Sequence, residues 1–258
     1  MNKELIGLLF TFGLGFFILI GSMIVFFIKN NNHLIKFSIG MAFGVLLMIS
    51  LHDLLPEIIH IFSEEFNFLI AIVILILITC LGIYLLKLLD KFIPHHGHHH
   101  DHKEEIDENS LYHMGVISSI ALVLHNIIEG MAVYSALKSD IHTGILLSIG
   151  IGLHNIPLGM IIAIAFYKKN QSKLKTLFIS FLISCSTFFG GLIIYFISSK
   201  INDLFLGTLL SVTFGMIIYI MFFELLPHIT CEKERRTSIF GIILGIIMIL
   251  ISMLFHHH

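Results

Sequence analysis

Two apolar segments of the chain each carry a histidine followed by an asparagine. The first pair is His125-Asn126, and the second pair is His154-Asn155. Glu129 follows His125 by four residues, so on an α-helix His125, Asn126 and Glu129 share one face. An imidazole, an amide oxygen and a carboxylate that converge there suit a divalent cation such as zinc or ferrous iron. Such side chains are costly to bury in lipid, which makes them candidates for a functional site.

The composition is that of an integral membrane protein. Hydrophobic residues make up 57% of the chain and charged residues 12%, whereas a soluble globular protein has about 25% charged residues. The mean hydropathy is +0.97. The formal net charge of -2 carries no information about nucleic acid, and because the sequence has no soluble basic domain we expect no nucleic-acid partner.

Long apolar segments determine the predicted fold. A spanning helix needs about 20 mostly apolar residues, and eight segments of the chain meet this requirement. They cover residues 5–28, 34–55, 67–90, 112–136, 143–167, 174–198, 204–228 and 237–255, with ends uncertain by several residues. We therefore predict an all-α, polytopic membrane protein in which residues 1–258 form a single transmembrane domain.

The distribution of lysine and arginine predicts the orientation. These residues concentrate in and beside the loops that follow spans 1, 3, 5 and 7, and the exceptions are Lys3, Lys138 and Lys200. Because cytoplasmic loops carry an excess of positive residues, we expect those four loops in the cytoplasm and both termini outside. The long polar loop at 91–110 is then cytoplasmic, and the protein is predicted to be a multi-pass protein of the cell membrane.

The chain also contains an internal repeat. Residues 43–58 resemble residues 214–229 without a gap, and both stretches contain Leu-Leu-Pro. Asp53 falls opposite Glu224 in this alignment. Spans 2 and 7 run in opposite directions, as do spans 4 and 5, which the His-Asn pairs relate. The sequence therefore predicts an inverted repeat, a plan in which secondary transporters place the binding site at the repeat interface.

Three acidic residues lie deep in the predicted spans: Asp53, Glu129 and Glu224. An unpaired carboxylate at bilayer depth costs at least about 2.5 kcal/mol, which a bound dication or protonation would offset. Glu129 is the main candidate because His125 shares its face, and Glu224 could supply a second carboxylate from span 7. Asp53 is either a pathway residue or a hydrated group near the membrane surface.

A histidine-rich tract lies in the predicted cytoplasmic loop. Its histidines are His95, His96, His98, His99, His100 and His102. Such tracts bind zinc-like ions weakly and need no fold, so we expect low-affinity binding or sensing there; the alternative is a solvated linker. His256, His257 and His258 resemble the remnant of a purification tag and carry no functional interpretation.

These features together resemble the ZIP family of zinc and iron transporters. The resemblance rests on the eight spans, the outward termini, the histidine-rich loop after span 3 and the paired motifs in spans 4 and 5. It also rests on Leu-Leu-Pro-Glu at 54–57 and Glu-Leu-Leu-Pro at 224–227. It implies a 3+2+3 arrangement of the helices with an inverted repeat. It further implies movement of a divalent metal into the cytoplasm by an elevator-like or rocking motion of one bundle against the other.

The resemblance also assigns residues to sites. It implies one metal subsite at His125, Glu129 and His154. It implies an adjacent subsite whose ligands are Asn126, Glu129, Asn155 and Glu224. Glu57 matches an acidic residue near the external entrance of the family's pathway. Leu158 departs from the family pattern, because family members usually carry there a glutamate that bridges the two subsites. We therefore expect this chain to hold one metal ion at a time.

The sequence thus predicts a transporter, not an enzyme, that moves Zn²⁺ into the cytoplasm, with Fe²⁺, Mn²⁺ and Cd²⁺ as alternative substrates. The predicted partners are divalent ions and the lipid bilayer, and a homodimer is an open alternative to a monomer. One rival interpretation is a membrane-embedded zinc hydrolase, although the sequence has no His-Glu-x-x-His motif. Another is a transport-impaired homologue that senses metal, which Leu158 suggests.

Overall fold

The computed structural model describes residues 3–27, 32–93, 108–197, 202–230 and 235–253. These residues form eight helices that are long and apolar enough to cross a membrane. We name them α1 to α8, and they are Lys3–Phe27, Asn32–Glu65, Phe68–Asp90, Glu108–Ser139, Ile141–Asn170, Lys173–Ile197, Asp203–Thr230 and Arg235–Met253. The predicted all-α fold with eight spanning helices is confirmed. The histidine tract at 95–102 lies outside the described residues.

The outer surface is apolar and part of the interior is polar, as a bilayer environment requires. Leu77 of α3 and Phe196 of α6 are exposed, whereas Ser22 of α1 and Ser180 of α6 are completely buried. The Ser22 hydroxyl lies 2.8 Å from the Ser180 hydroxyl and 3.1 Å from the carbonyl oxygen of Gly159. Polar groups that cannot reach water thus find hydrogen-bond partners between helices. The chain is a multi-pass membrane protein.

Close glycine contacts pack α1 against α5 in the same way as α6 against α4. A Cβ atom on Gly21 would lie 2.0 Å from the carbonyl oxygen of Ile156, and one on Gly190 would lie 2.0 Å from that of Ile127. Ile127 follows His125 by two positions, and Ile156 follows His154 by two positions, so the two contacts lie at equivalent places in the paired motifs. Only glycine permits backbones to approach this closely.

Equivalent glycine contacts join α3 to α7 and α8 to α2. A Cβ atom on Gly82 would lie 2.2 Å from the carbonyl oxygen of Val212, and one on Gly245 would lie 2.3 Å from that of Met41. Met41 and Val212 are equivalent positions when the sequence repeat is extended by two residues. The two sets of contacts make four pairs of helices equivalent in the two repeats: α1 and α6, α2 and α7, α3 and α8, and α4 and α5. They support the predicted inverted repeat, while the 3+2+3 arrangement stays a prediction.

Both repeats contain a π-helical segment at the same repeat position. These segments are Ile49–Leu54 in α2 and Ile220–Leu225 in α7, and the sequence repeat aligns them residue for residue. At their ends the N–H of Leu55 donates to Ser50 and the N–H of Leu226 donates to Met221, five residues back in each case. π-helical turns are rare in proteins, but those that occur inside an α-helix often mark a functional site.

The Leu-Leu-Pro sequence begins at the last residue of each π segment and does not end the helix. Pro56 lies in the first turn after the segment, where the absence of an N–H is tolerated. Helix α2 therefore continues to Glu65, well beyond the end at 55 that the sequence suggested for span 2. A helix can extend past the hydrocarbon layer, so the membrane limits of the spans stay predictions.

Candidate metal site within the membrane

Three predicted ligands meet between α4 and α5. His125 and Glu129 lie one turn apart on α4, and α5 brings His154 against them. Oε1 of Glu129 lies 2.9 Å from Nε2 of His125 and 2.6 Å from Nε2 of His154. The residues are 3%, 7% and 5% exposed in chain order. One carboxylate oxygen is thus held between two buried imidazoles, and we call these three residues the central triad.

The ring of His125 is poorly satisfied without a further partner. Both of its nitrogens are buried, and neither makes a hydrogen bond with the described residues. Nε2 of His125 therefore approaches Glu129 without the alignment of a hydrogen bond. A buried polar atom without a hydrogen bond costs about 1–3 kcal/mol, and a metal ion would remove this penalty by accepting the lone pair of one ring nitrogen.

The two asparagines flank the central triad. Nδ2 of Asn155 donates to Oε2 of Glu129 at 3.2 Å, and Nδ2 of Asn126 donates to the carbonyl oxygen of Ile183 on α6 at 3.5 Å. Both asparagines are fully buried, and among the described residues their Oδ1 atoms have no hydrogen-bond donor. These amide oxygens are the hard donors that a divalent cation accepts.

A cavity of about 710 Å³ reaches the central triad from one face of the molecule. Its wall includes His125, Glu129 and His154. The polar residues of α2 that line it are His52, Asp53, Glu57 and His60. The cavity wall also includes Ser135, close to the end of α4. The predicted pathway residues therefore line the same cavity as the central triad. This cavity lies on the side of the molecule where α2 and α4 have their C-terminal ends.

Glu224 lies in a different environment. Its Oε1 is 3.9 Å from Nε2 of His113, and that nitrogen is 2.5 Å from Oδ1 of Asp90. The structure therefore brings together the central triad and Asn155, and it places Glu224 with Asp90 and His113. That Glu224 binds the central ion stays a prediction.

The sequence reasoning did not single out Asp90 or His113. Asp90 is the last residue of α3, and His113 lies near the start of α4. Because both are close to the loop, they were indistinguishable from ordinary charged residues at helix ends. They also lie on different helices, so their spacing in the sequence gives no periodic signal.

Leu158 is 1% exposed and packs in the main apolar cluster of the protein. The position where the family pattern has a glutamate is therefore filled by a buried isobutyl group. Pro157 beside it lies within the continuous helix α5. Leu158, the residue that departs from the family pattern, thus lies among buried apolar side chains.

Comparison with known proteins identifies the family of the chain. Residues 94–253 match the family model described as ZIP zinc transporter. The chain belongs to the ZIP family. Among its relatives, the zinc transporter ZupT of Streptococcus mutans is 32% identical over 241 residues, which cover 91% of each chain. ZupT of Clostridium perfringens is also 32% identical, over 98% of this chain and 97% of the relative.

The similarity to ZIP proteins extends over almost the whole chain. ZupT of Oceanobacillus iheyensis is 29% identical over 98% of this chain and 99% of the relative. The resemblance inferred from the motifs is therefore confirmed at the level of the family. ZIP proteins are transporters and not enzymes, so the hydrolase interpretation is abandoned.

Proposed function

We propose that this protein transports Zn²⁺ across the cell membrane into the cytoplasm and that the central triad holds the ion. The observation that carries the proposal is the single carboxylate oxygen of Glu129 between two buried imidazoles. The ZIP family match and the zinc transporters among the relatives support the choice of metal.

The geometry of the central triad supports a zinc-sized ion. Two ligands at about 2.0–2.1 Å from one tetrahedral zinc lie about 3.3 Å apart. Glu129 and the two histidines are 2.6 and 2.9 Å apart, so they need to separate by less than about 1 Å to admit the ion. Mixed nitrogen and oxygen donors without a thiolate favour Zn²⁺ or Fe²⁺ over Cu⁺. Fe²⁺, Mn²⁺ and Cd²⁺ are the competing substrates to test.

The cavity supplies an approach to the central triad. Asp53 and Glu57 on its wall are both exposed carboxylates, and negative groups in a cleft raise the local concentration of cations. In the predicted topology this face is extracytoplasmic, so we propose that ions enter here. Delivery to the cytoplasm would then follow a motion of one helix bundle against the other.

Uptake of radioactive zinc into proteoliposomes tests the transport proposal. Purified wild-type protein should give saturable uptake, and Glu129→Ala should abolish it, because the variant lacks the only acidic residue of the central triad. Replacing the histidines in 95–102 by serine should leave substantial uptake. Parallel assays with Fe²⁺, Mn²⁺ and Cd²⁺ rank the substrates. Normal uptake by Glu129→Ala would contradict the proposal, and zinc binding without uptake in the wild type would favour the metal-sensing alternative.

Thiol labelling tests the proposed orientation. In a background without Cys80, Cys185 and Cys231, Asn170→Cys should be protected from an impermeant thiol reagent in intact cells. Asp140→Cys, in the connection between α4 and α5, should be labelled. Labelling of position 170 and protection of position 140 would reverse the orientation and, with it, the direction of approach.

A further inference from the structure

The connection between α5 and α6 concentrates positive charge without any acidic residue nearby in the sequence. Four lysines lie within residues 168–175, and the whole stretch 141–202 contains no aspartate or glutamate. They are Lys168, Lys169, Lys173 and Lys175. At the start of α8, by contrast, residues 231–236 combine three basic residues with two glutamates. The charge between α5 and α6 is therefore not balanced locally, and we call residues 168–175 the lysine turn.

Hydrogen bonds fix the shape of the lysine turn. Helix α5 ends at Asn170 and α6 begins at Lys173. Gln171 between them has a left-handed backbone with φ 49°, and its N–H donates to the carbonyl oxygen of Tyr167. Its Nε2 donates to the carbonyl oxygen of Lys168 at 2.8 Å. The two-residue connection thus keeps the last turn of α5 beside the first turn of α6, and the four lysines form one cluster.

The protein does not neutralise this cluster. Among the residues that the structure describes, none of the four lysines makes an ion pair. Nζ of Lys169 donates to Oδ1 of Asn109 at 2.5 Å, and Nζ of Lys173 lies 5.8 Å from the ring centroid of Phe26. Both partners are neutral. Lys173 and Lys175 also lie in the first turn of α6, where positive charge opposes the helix dipole, so helix stability does not explain them.

An exposed apolar surface begins directly beside the lysine turn. Leu174 is 79% exposed and Phe178 is 60% exposed, and Leu182 is exposed one turn further along α6. Lys175, Phe178 and Leu182 share one face of the helix, because they are three and seven residues apart. Tyr167 packs edge to face against a phenylalanine of α1, and tyrosine is typical of the membrane–water interface. The lysines therefore lie at headgroup level and the apolar side chains at the level of the acyl chains.

We propose that the lysine turn binds the phosphate headgroup of an anionic phospholipid whose acyl chains cover Leu174, Phe178 and Leu182. The phosphate supplies the negative charge that the protein lacks here, and lysine binds phosphate as a point charge. Clusters of basic residues at the end of a spanning helix attract anionic lipids. The bound lipid would hold the connection between α5 and α6 at the membrane surface. This binding does not depend on transport or on the predicted orientation.

Binding of fluorescent phosphatidylglycerol to the purified full-length protein in an uncharged detergent tests the proposal, with phosphatidylcholine as the neutral probe. A lysine near an anionic surface contributes roughly fivefold in affinity. Replacing all four lysines of the turn by glutamine should therefore weaken phosphatidylglycerol binding at least about tenfold. Replacing all four by arginine keeps the charge and should preserve binding. Thermal unfolding of each variant checks that the fold is kept.

A matched control removes four positive charges from other exposed positions. It carries glutamine in place of Lys87, Lys138, Arg235 and Arg236 and has the same net charge as the glutamine variant of the lysine turn. Because charges more than about 10 Å apart are largely screened at moderate ionic strength, this control should bind phosphatidylglycerol as the wild type does. In a further arm, inorganic phosphate at the concentration of the lipid should not displace phosphatidylglycerol, because it lacks acyl chains.

Four results would overturn the proposal. The first is an equal loss of affinity in the control and in the glutamine variant, which would show a general effect of net charge. The second is equal binding of phosphatidylcholine and phosphatidylglycerol by the wild type. The third is loss of binding in the arginine variant with its fold intact. The fourth is displacement of the lipid by inorganic phosphate, which would show a site for free anions rather than for a phospholipid.

Discussion

The substitution Glu129→Gln isolates the charge of the central carboxylate, because glutamine keeps the length of the side chain and nearly its volume. The oxygen that now lies 2.6 and 2.9 Å from two imidazoles would become part of a neutral amide. The buried site would keep its shape and lose one negative charge. The change in zinc affinity therefore reports the contribution of that charge.

The expected loss of affinity is large. Two unit charges 4 Å apart interact by about 4 kcal/mol at an effective dielectric constant of about 20, and a dication doubles this value. Desolvation of the ion cancels much of the gain. Replacement of a supporting group of a metal site already costs about 10–100-fold in affinity, so a direct ligand should cost at least the upper value. We expect roughly a hundredfold weaker binding, about 2.8 kcal/mol at about 1.4 kcal/mol per tenfold.

The assay is an equilibrium zinc titration in a background that carries Asp90→Asn and serine in place of the histidines in 95–102 and 256–258. Only the central triad should then bind zinc tightly. Glu64→Gln is the matched control, because Glu64 is an exposed carboxylate near the end of α2 with His60 at 3.8 Å as its partner. Equal zinc affinities for Glu129→Gln and Glu64→Gln would refute the assignment of the ion to the triad.

Three further predictions concern packing, ligand supply and a helix cap. Gly21→Ala should lower the free energy of unfolding by about 1–3 kcal/mol, since its Cβ would lie 2.0 Å from a carbonyl oxygen of α5, whereas Gly13→Ala has nothing within 4 Å and should be tolerated. Leu158→Glu should tighten zinc binding and lower the melting temperature without metal, because the carboxylate enters a position that is 1% exposed. Hydrogen bonds from the first turn of α5 lower the pKa of Asp140, so its stabilising effect should be present above the ordinary aspartate pKa and be lost as the pH falls; Asp140→Ala should remove this part of the acid dependence.

Thermal unfolding and zinc titration decide these three cases. Equal melting temperatures for Gly21→Ala and Gly13→Ala would mean that α1 and α5 can separate without loss. Unchanged zinc affinity in Leu158→Glu would mean that position 158 does not reach the ion. Identical pH profiles for wild type and Asp140→Ala would show that the cap does not contribute to stability.

The spanning helices and the central triad follow from local sequence patterns. Each helix contains a predominantly apolar segment of sufficient length. The four-residue spacing of His125 and Glu129 fixes their common face on any α-helix. The repetition of His-Asn in the next apolar segment indicated a second helix with the same chemistry, and His154 does lie against Glu129.

The π segments could not be predicted in the same way. A π-helical turn has no characteristic residue type, and its five-residue hydrogen bonds depend on the packing around it. The sequence repeat indicated that residues near 49 and 220 are equivalent without revealing this geometry. The predicted span 2 ends at residue 55, whereas the helix continues past Pro56 to Glu65.

The position of Glu224 beside Asp90 and His113 also needed the three-dimensional structure. The repeat makes Asp53 and Glu224 equivalent, and an inverted repeat places equivalent residues toward opposite faces. Asp53 lines the cavity that reaches the central triad, whereas Glu224 lies 3.9 Å from His113 and does not line that cavity. The partners on α3 and α4 lie far from Glu224 in the sequence, beyond the reach of any local pattern.

The most direct test of the central claim is the location of bound zinc by anomalous diffraction at the zinc edge. The account predicts a peak within coordination distance of His125, Glu129 and His154 in the wild-type protein. The peak should disappear in crystals of Glu129→Gln grown under the same conditions, with any peak at Asp90 and His113 retained. Zinc-saturated wild-type crystals without a peak at the central triad would contradict the account.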